Sequence, residues 1–306
     1  MVQNSELLIH DDGMNGRIVV GVDGSESAAE ALRWAVGEAA RRSAGLDVVH
    51  AWQHPALFTP AARAVEPNVR ALVKEAAQRL LHTAIASAAP HQHVKVRPLL
   101  LEGSPGPVLL EAGRHADALV VGTRGLGGID RLLLGSVSAY CVNHAQGPVV
   151  VVPPSSGHSP GDRAEPPSGV ATTNGAIVVG VDGSEGSQVA LGWALSEAIT
   201  NESPLVVVCA YSALTDAEAA VSDALDRVGT RDGLEVSTRI VEGQPAKVLA
   251  AAGTGARMLV VGTRGLGGFR GLMLGSTSHE LAHNPPCPLA IVATPHGGES
   301  PLPPTV

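Results

Sequence analysis

Ile18-Val-Val-Gly-Val-Asp-Gly-Ser-Glu26 returns letter for letter as Ile177-Val-Val-Gly-Val-Asp-Gly-Ser-Glu185. The chain is therefore a duplication. A second block, Leu119-Val-Val-Gly-Thr-Arg-Gly-Leu-Gly-Gly128, returns at Leu259–Gly268. The repeating unit spans at least the distance between the two blocks, which is domain size and too long for a solenoid repeat. Between the copies, Pro153–Gly175 is rich in Pro, Gly, Ser and Thr. It offers too little apolar surface to order itself and reads as a linker. The expected organisation is a tail over 1–16, a domain over 17–153, a linker over 154–175, a second domain over 176–294 and a Pro-rich tail over 295–306.

Within the first copy, apolar runs at Ile18–Val22, Leu46–Ala51, Val94–Leu101, Ala118–Gly122 and Val149–Val152 alternate with helical patterns. The latter cover Ala28–Arg42, Val69–Ala89, Val108–His115 and Ser136–His144. Strands separated by helices pair in parallel, and continuously apolar runs suit strands covered on both faces. Right-handed crossovers then favour an α/β fold of two tandem, doubly wound, five-stranded parallel sheets with strand order 3-2-1-4-5. In such a sheet a ligand lies beyond the carboxyl ends of strands one and four, where the winding reverses. The copies differ in one respect: Asp23 and Gly122 lie 99 residues apart, whereas Asp182 and Gly262 lie 80 apart. The deficit of 19 falls between the second and third strands, and the extra segment of copy one is expected near Pro55–Pro67.

Composition narrows the function classes. The chain is 44% hydrophobic but only 2% aromatic, so the core must be aliphatic and bases have few rings to stack on. A net charge of −8 without a basic run argues against polymeric nucleic acid. Cys141, Cys209 and Cys287 are few, odd in number and scattered, which fits buried thiols in a reducing compartment. No apolar run approaches membrane-spanning length and no cationic, apolar leader opens the chain, so a cytoplasmic protein is expected.

The chemistry concentrates after strands four and one. Gly122-x-x-Gly125-x₉-Gly135-Ser136 recurs as Gly262-x-x-Gly265-x₉-Gly275-Ser276. Glycines let backbone N–H groups turn inward, and Gly-Ser opens a helix whose amides and positive dipole end can face a phosphate. Ser136 and Ser276 add hydroxyl donors, and Arg124, Arg131 and Arg264 add positive charge at the rim. Asp23 and Asp182, each followed by Gly-Ser, can accept bonds from ribose hydroxyls or help hold a divalent cation on phosphates. A plainer role for them is helix capping, although Ser25 and Ser184 are the better cap residues. A glycine loop can likewise be only a tight turn, but that explains one glycine rather than a whole stretch.

With these features and the Val-Val-His50-Ala-Trp second strand, the chain resembles the universal stress protein family in its tandem-domain, ATP-binding form, over nearly all of its length outside linker and tails. The resemblance implies an adenine nucleotide alpha hydrolase-like α/β sandwich that binds ATP or ADP. Mg²⁺ would accompany the nucleotide rather than occupy a dedicated protein site. It places Gly21, Asp23 and Ala51 along the adenosine, with Gly122, Thr123, Arg124, Gly125, Leu126, Gly127 and Gly128, then Gly135, Ser136 and Val137, around the phosphates. The counterparts are Gly180, Asp182 and Ala210, then Gly262, Thr263, Arg264, Gly265, Leu266, Gly267 and Gly268, and Gly275, Ser276 and Thr277. It further implies that Val149–Val152 and Leu289–Val292 pair the halves as an internal pseudo-dimer, and it leaves homodimerisation open. The shorter second half is expected to cover its adenosine less and bind more weakly.

Other motifs are set aside. His279-Glu-Leu-Ala-His283 matches the HExxH of zinc proteases, but Pro285 and Pro286 end the helix and copy one reads Ala139-Tyr-Cys-Val-Asn143. His91-x-His93 reads as a solvated turn, and the matched Trp34 and Trp193 as core. Neither a Walker lysine loop nor a Gly-x-Gly-x-x-Gly after strand one is present. The expected function is a nucleotide-dependent regulatory module in stress response or growth control. It acts through an unidentified protein partner, without membrane or nucleic acid, and hydrolyses ATP weakly at most. The rivals are a slow ATPase or a phosphoryl- or nucleotidyl-transferring enzyme on the same fold, and a scaffold without nucleotide.

Overall fold

The computed structural model describes residues 16–53, 60–88, 93–125, 134–154, 173–211, 217–229, 233–265 and 274–294, with 60–67 described as helix backbone. The first half runs β1 (Arg17–Gly21), α1 (Glu26–Arg42), β2 (Gly45–Trp52), α2 (Pro60–Ala88), β3 (Val96–Glu102), α3 (Pro105–Ala112), β4 (Ala118–Gly122), α4 (Ser136–His144) and β5 (Val149–Val152). The second runs β6 (Ile177–Gly180), α5 (Glu185–Thr200), β7 (Leu205–Tyr211), α6 (Ala217–Val228), β8 (Val236–Glu242), α7 (Pro245–Gly253), β9 (Met258–Gly262), α8 (Ser276–His283) and β10 (Leu289–Val292).

These strands form one ten-stranded sheet in the order β3-β2-β1-β4-β5-β10-β9-β6-β7-β8. Each half has the 3-2-1-4-5 order. All pairs within a half are parallel, and β5 meets β10 antiparallel, with Ala290 opposite Val150. Both inner strands are wholly apolar and buried, so pairing them removes two edges that would otherwise template aggregation. The outer edges are blunted by composition: β3 carries Arg97 and Pro98, and β8 carries Ser237, Thr238 and Arg239.

Side chains alternate between two cores. Val20, Val48 and Val120 pack beneath α1 and α2, with Val179, Val207 and Val260 beneath α5 and α6. Val19, Val49 and Val121 face α3 and α4. Trp34 and Trp193 pack partly buried against the first core, and all three cysteines are buried. Two expected boundaries are corrected. The third helix begins at Pro105 rather than Val108, because proline suits the first turn, where an N–H is not needed. The second helix begins at Pro60 rather than Val69 and continues through Pro67. The extra length of copy one is therefore mostly helix, 29 residues in α2 against 12 in α6. Residues 54–59 lie outside the described region.

Where α1 and α5 end above the β5–β10 seam, the matched Glu38 and Glu197 are buried, 1% and 3% exposed. Arg42 joins them: its Nε donates to Glu38 Oε1 at 2.7 Å and its terminal nitrogen to Glu197. The position matching Arg42 is Asn201, whose amide donates to Glu38 Oε1 at 3.0 Å. Burial pushes the Glu38 carboxyl up, but the charges and hydrogen bonds of Arg42 and Arg41 outweigh this and hold it at about 2. Burial raises Glu197 to about 7, with Arg42 pulling against it and the Glu38 charge adding to the rise. One guanidinium thus serves two carboxylates and satisfies one of them better.

Candidate functional site

β1 lies beside β4, so the turn after Gly21 and the loop after Gly122 emerge together. Val22 extends β1 by one ladder bond, its N–H donating to the Val49 carbonyl at 2.9 Å. Gly24 then takes φ +88°, and Gly183 in the second half +84°, a conformation that favours glycine. Ser25 caps α1 by accepting the Ala28 amide at 3.1 Å, and Ser184 caps α5 by accepting that of Ser187 at 3.2 Å. Capping thus falls to the serines. The aspartates brace the turn: Asp23 Oδ1 accepts the Ser25 amide at 2.9 Å, and Asp182 Oδ1 accepts the Ser184 amide at 3.0 Å and its hydroxyl at 2.6 Å.

The second carboxylate oxygen faces the glycine loop. A Cβ on Gly125 would stand 2.4 Å from Asp23 Oδ2, and one on Gly265 2.3 Å from Asp182 Oδ2. Beneath the loops, Gly122 and Gly262 let α1 and α5 approach. Their Cβ atoms would fall 2.7 Å from the Ser27 backbone and 2.6 Å from that of Gly186. The chain returns at Gly135, whose N–H donates to the Thr123 carbonyl at 2.8 Å, and at Gly275, which bonds Thr263 at 2.7 Å. Ser138 Oγ donates to the Gly122 carbonyl at 2.6 Å and Ser278 Oγ to Gly262 at 2.7 Å, fixing each helix start to its strand end. Unlike α1 and α5, helices α4 and α8 begin at glycine without a side-chain cap. Their first amides and dipoles are directed at the space in front of the aspartates, an arrangement suited to an anion.

In the second half this space is a cavity of about 680 Å³, within the range of small-molecule sites. Of the expected residues, Gly180, Asp182, Ala210, Gly262, Arg264, Gly265, Gly275, Ser276 and Thr277 line it. In the first half Gly21 ends β1, Ala51 lies half-buried on β2, and Gly135, Ser136 and Val137 open α4. Thr123 is buried, its hydroxyl 3.3 Å from Ser27 Oγ, and the Arg124 amide donates to that same oxygen at 3.2 Å. Leu126, Gly127, Gly128 and Arg131, with Leu266, Gly267 and Gly268, lie outside the described residues.

The cavity also uses residues that sequence reasoning missed: Ser187, Cys209, Tyr211, Ala217, Ala220, Pro245 and Leu249. They come from four separate elements and share no motif. One signal was available, since Glu102-Gly-Ser-Pro105 and Glu242-Gly-Gln-Pro245 are a third matched block. Counting back from β3 and β8, Ala77 and Leu80 of α2 match Ala217 and Ala220 of α6. Both halves therefore possess this wall, and the 19-residue difference does not remove it from the second. Burial, then the Asp182 charge, push the Cys209 thiol up, so it lines the cavity as a thiol.

The HExxH helix has a different use. His283 Nδ1 lies 3.2 Å from the Leu134 amide, which donates to it, and His283 Nε2 lies 3.2 Å from His279 Nε2. A neutral ring accepting at Nδ1 carries its proton on Nε2, the nitrogen a metal would need. Among the described residues no group of three or more His, Cys, Asp or Glu could hold a metal ion. His93 is exposed in a turn, and His91 lies outside the described residues.

The same duplication appears in comparison with known proteins. The model of the universal stress protein family matches residues 14–153 and again 173–293. A universal stress protein of Mycolicibacterium smegmatis is 29% identical, over 90% of this chain and 96% of its own. One of Mycobacterium tuberculosis is 30% identical, again over 90% and 96%. The crystal structure of a universal stress protein from Archaeoglobus fulgidus superposes with a TM-score of 0.62 at 20% identity, over 91% of this chain and 98% of that one, a likeness of fold. Two matched domains, each with its strand-one aspartate set against its own glycine loop, make this chain a tandem member of the universal stress protein family.

Proposed function

We propose that the chain binds ATP or ADP at the carboxyl ends of its strands and serves as a nucleotide-dependent regulatory module in stress response or growth control. The observation that carries this reading is the second-half cavity, where the uncapped start of α8 at Gly275–Ser276 and the glycine loop face Asp182. The phosphates would lie on the amides of Ser276 and Thr277 with Arg264 at the rim, and the ribose hydroxyls against Asp182. Mg²⁺ would arrive with the nucleotide. The corresponding phosphate and ribose positions in the first half are Ser136, Val137, Arg124 and Asp23.

Among the described residues no histidine or lysine lines the cavity, and Cys209 lines it as a thiol. Asp182, the carboxylate that lines the cavity, would be occupied by the ribose hydroxyls rather than placed to activate water at the terminal phosphate, and hydrolysis would be slow. A cytoplasmic location goes with this reading. Among the described residues no helix is long and apolar enough to cross a membrane.

The test is calorimetry with MgATP on the parent chain and on Gly275→Asp. Gly275 has φ −73°, open to any residue, and an added Cβ meets its nearest neighbours at 3.5 Å. Aspartate is a favoured N-cap, so the variant keeps or gains stability while placing a carboxylate where a phosphate would sit. Affinity should fall by about 100-fold or more, at least 2.7 kcal/mol. Undiminished binding by the folded variant would refute the site.

A further inference from the structure

The two halves present the same backbone to a ligand but different walls. The Ala220 methyl lies 3.6 Å from where a Gly183 Cβ would be, and Ala220 lines the cavity. At the matching place in the first half stands Leu80, whose Cδ1 lies 3.1 Å from where a Gly24 Cβ would be. The larger side chain leans over the Asp23-Gly24 turn. On the floor, Cys209 of β7 lines the second-half cavity together with Val181. Its counterpart is His50, whose ring stands across the end of β1 with Nδ1 2.7 Å from the carbonyl of Val22, the residue matching Val181.

Two exchanges thus remove volume from the same end of the first-half space, the end between the β2 floor and the α2 wall. At the other end Thr277 lines the second-half cavity where the first half has Val137, while the hydroxyl of Ser187 against Ala28 is balanced by that of Ser27 against Gly186. A threonine hydroxyl at a helix start can donate to a phosphate oxygen, and a valine methyl cannot.

We propose that the second half is the principal nucleotide site, and that Leu80 and His50 close the nucleoside end of the first half against a purine nucleoside. The proposal rests on the nucleotide reading given above and adds the assignment of which half accepts the whole ligand. It reverses the ranking expected from segment length alone, because the extra residues of copy one lengthen α2 whereas the wall residues are matched one for one.

The experiment uses the full chain. Calorimetry with MgATP should give one tight equivalent, with any second at least about tenfold weaker, in line with the penalty for overfilling a packed space. Photolabelling with 8-azido-ATP at low occupancy should mark peptides from 205–228 rather than 45–52 or 77–88, and needs no variant. Ala220→Leu should weaken the tight equivalent at least about tenfold, and Leu80→Ala combined with His50→Cys should create a second tight one. Two equal equivalents in the parent chain, or label confined to the first half, would overturn the assignment while leaving nucleotide binding intact. No binding of ATP or ADP at all would overturn both, and is readily told from the former result.

Discussion

The two halves share a turn written in the same nine letters, yet they treat what surrounds it differently. The parts set by backbone geometry are kept in both: the positive-φ glycine after the aspartate, the serine cap, the bare glycine under each strand end and the uncapped glycine opening α4 and α8. The parts made of side-chain volume have drifted, with Leu80 against Ala220 and His50 against Cys209. The seam shows the same pattern, with matched Glu38 and Glu197 and unmatched Arg42 and Asn201. Duplication followed by divergence has preserved what the main chain must do and released what the walls and partners do. This separates a loop that can bind an anion from a cavity that can select one.

The seam offers the largest expected effect. Arg42→Ala leaves two buried carboxylates without their shared cation and should cost about 3–5 kcal/mol in denaturant unfolding. Asn201→Ala at the matching position removes no charge but does remove hydrogen bonds to the charged Glu38, Arg41 and Arg257, and should cost about 1.5–3 kcal/mol. Equal losses would mean that the seam is symmetric in energy as well as in sequence position. The matched glutamates should also separate by pH. Glu197 is raised from the ordinary 4.5 to about 7, so its contribution to stability is complete below pH 4.5 and is lost as pH rises through 7. Glu38 is lowered to about 2, so its contribution is present above pH 4.5 and lost as pH falls toward 2. Glu197→Gln should match the parent near pH 5 and exceed it by about 1–3 kcal/mol at pH 8. Parallel stability curves from pH 5 to 8 would show that Arg42 satisfies both carboxylates.

Much of this architecture was legible in the sequence because it depends on local rules. The repeat announced two domains, continuous apolar runs announced parallel strands, and Gly-x-x-Gly-x₉-Gly-Ser marked a backbone that must turn tightly. The strand order followed from handedness, and β5 pairing with β10 from the family resemblance. What could not be read depends on elements distant in sequence. Ala220 becomes a cavity wall only once α6 crosses β7, and Leu80 opposes the Asp23-Gly24 turn only because α2 packs over β2 beside α1. The helical pattern is legible only from Val69, yet α2 begins at Pro60 and runs through Pro67. HExxH is set aside in the sequence on its two following prolines and the unmatched first copy, and what the fold adds is the Leu134 amide donating to His283 Nδ1.

The caps give a smaller contrast within a shared motif. Ser25→Ala and Ser184→Ala should each cost about 1 kcal/mol, the usual worth of an N-cap. Ser184 Oγ additionally donates to Asp182 Oδ1 at 2.6 Å. Its loss should therefore also loosen the aspartate and weaken MgATP binding in the second half severalfold, whereas Ser25 Oγ donates only a long bond to the Arg124 carbonyl, at 3.4 Å, and Ser25→Ala should act mainly on stability. An equal effect of both variants on binding would show that the serine–aspartate bond does not organise the site.

The smallest effect concerns the one-way tie between halves on the face opposite the glutamates. The Leu134 amide, next to Gly135 of the first-half loop, donates to His283 at the end of α8. The reciprocal residue is Asn143, and its amide instead donates to the Ala139 carbonyl of its own helix at 2.7 Å. His283→Asn makes the second half resemble the first at this position. The bond is long and single, so global stability should fall by about 0.5–1 kcal/mol. Local protection should change more visibly: hydrogen exchange at Leu134 should speed up about three- to fivefold, while Leu274 at the matching position of the second half stays as it was. If both amides change together, the tie holds the seam as a whole rather than the first-half loop. If neither changes, the approach of His283 to Leu134 contributes nothing to holding that loop in place.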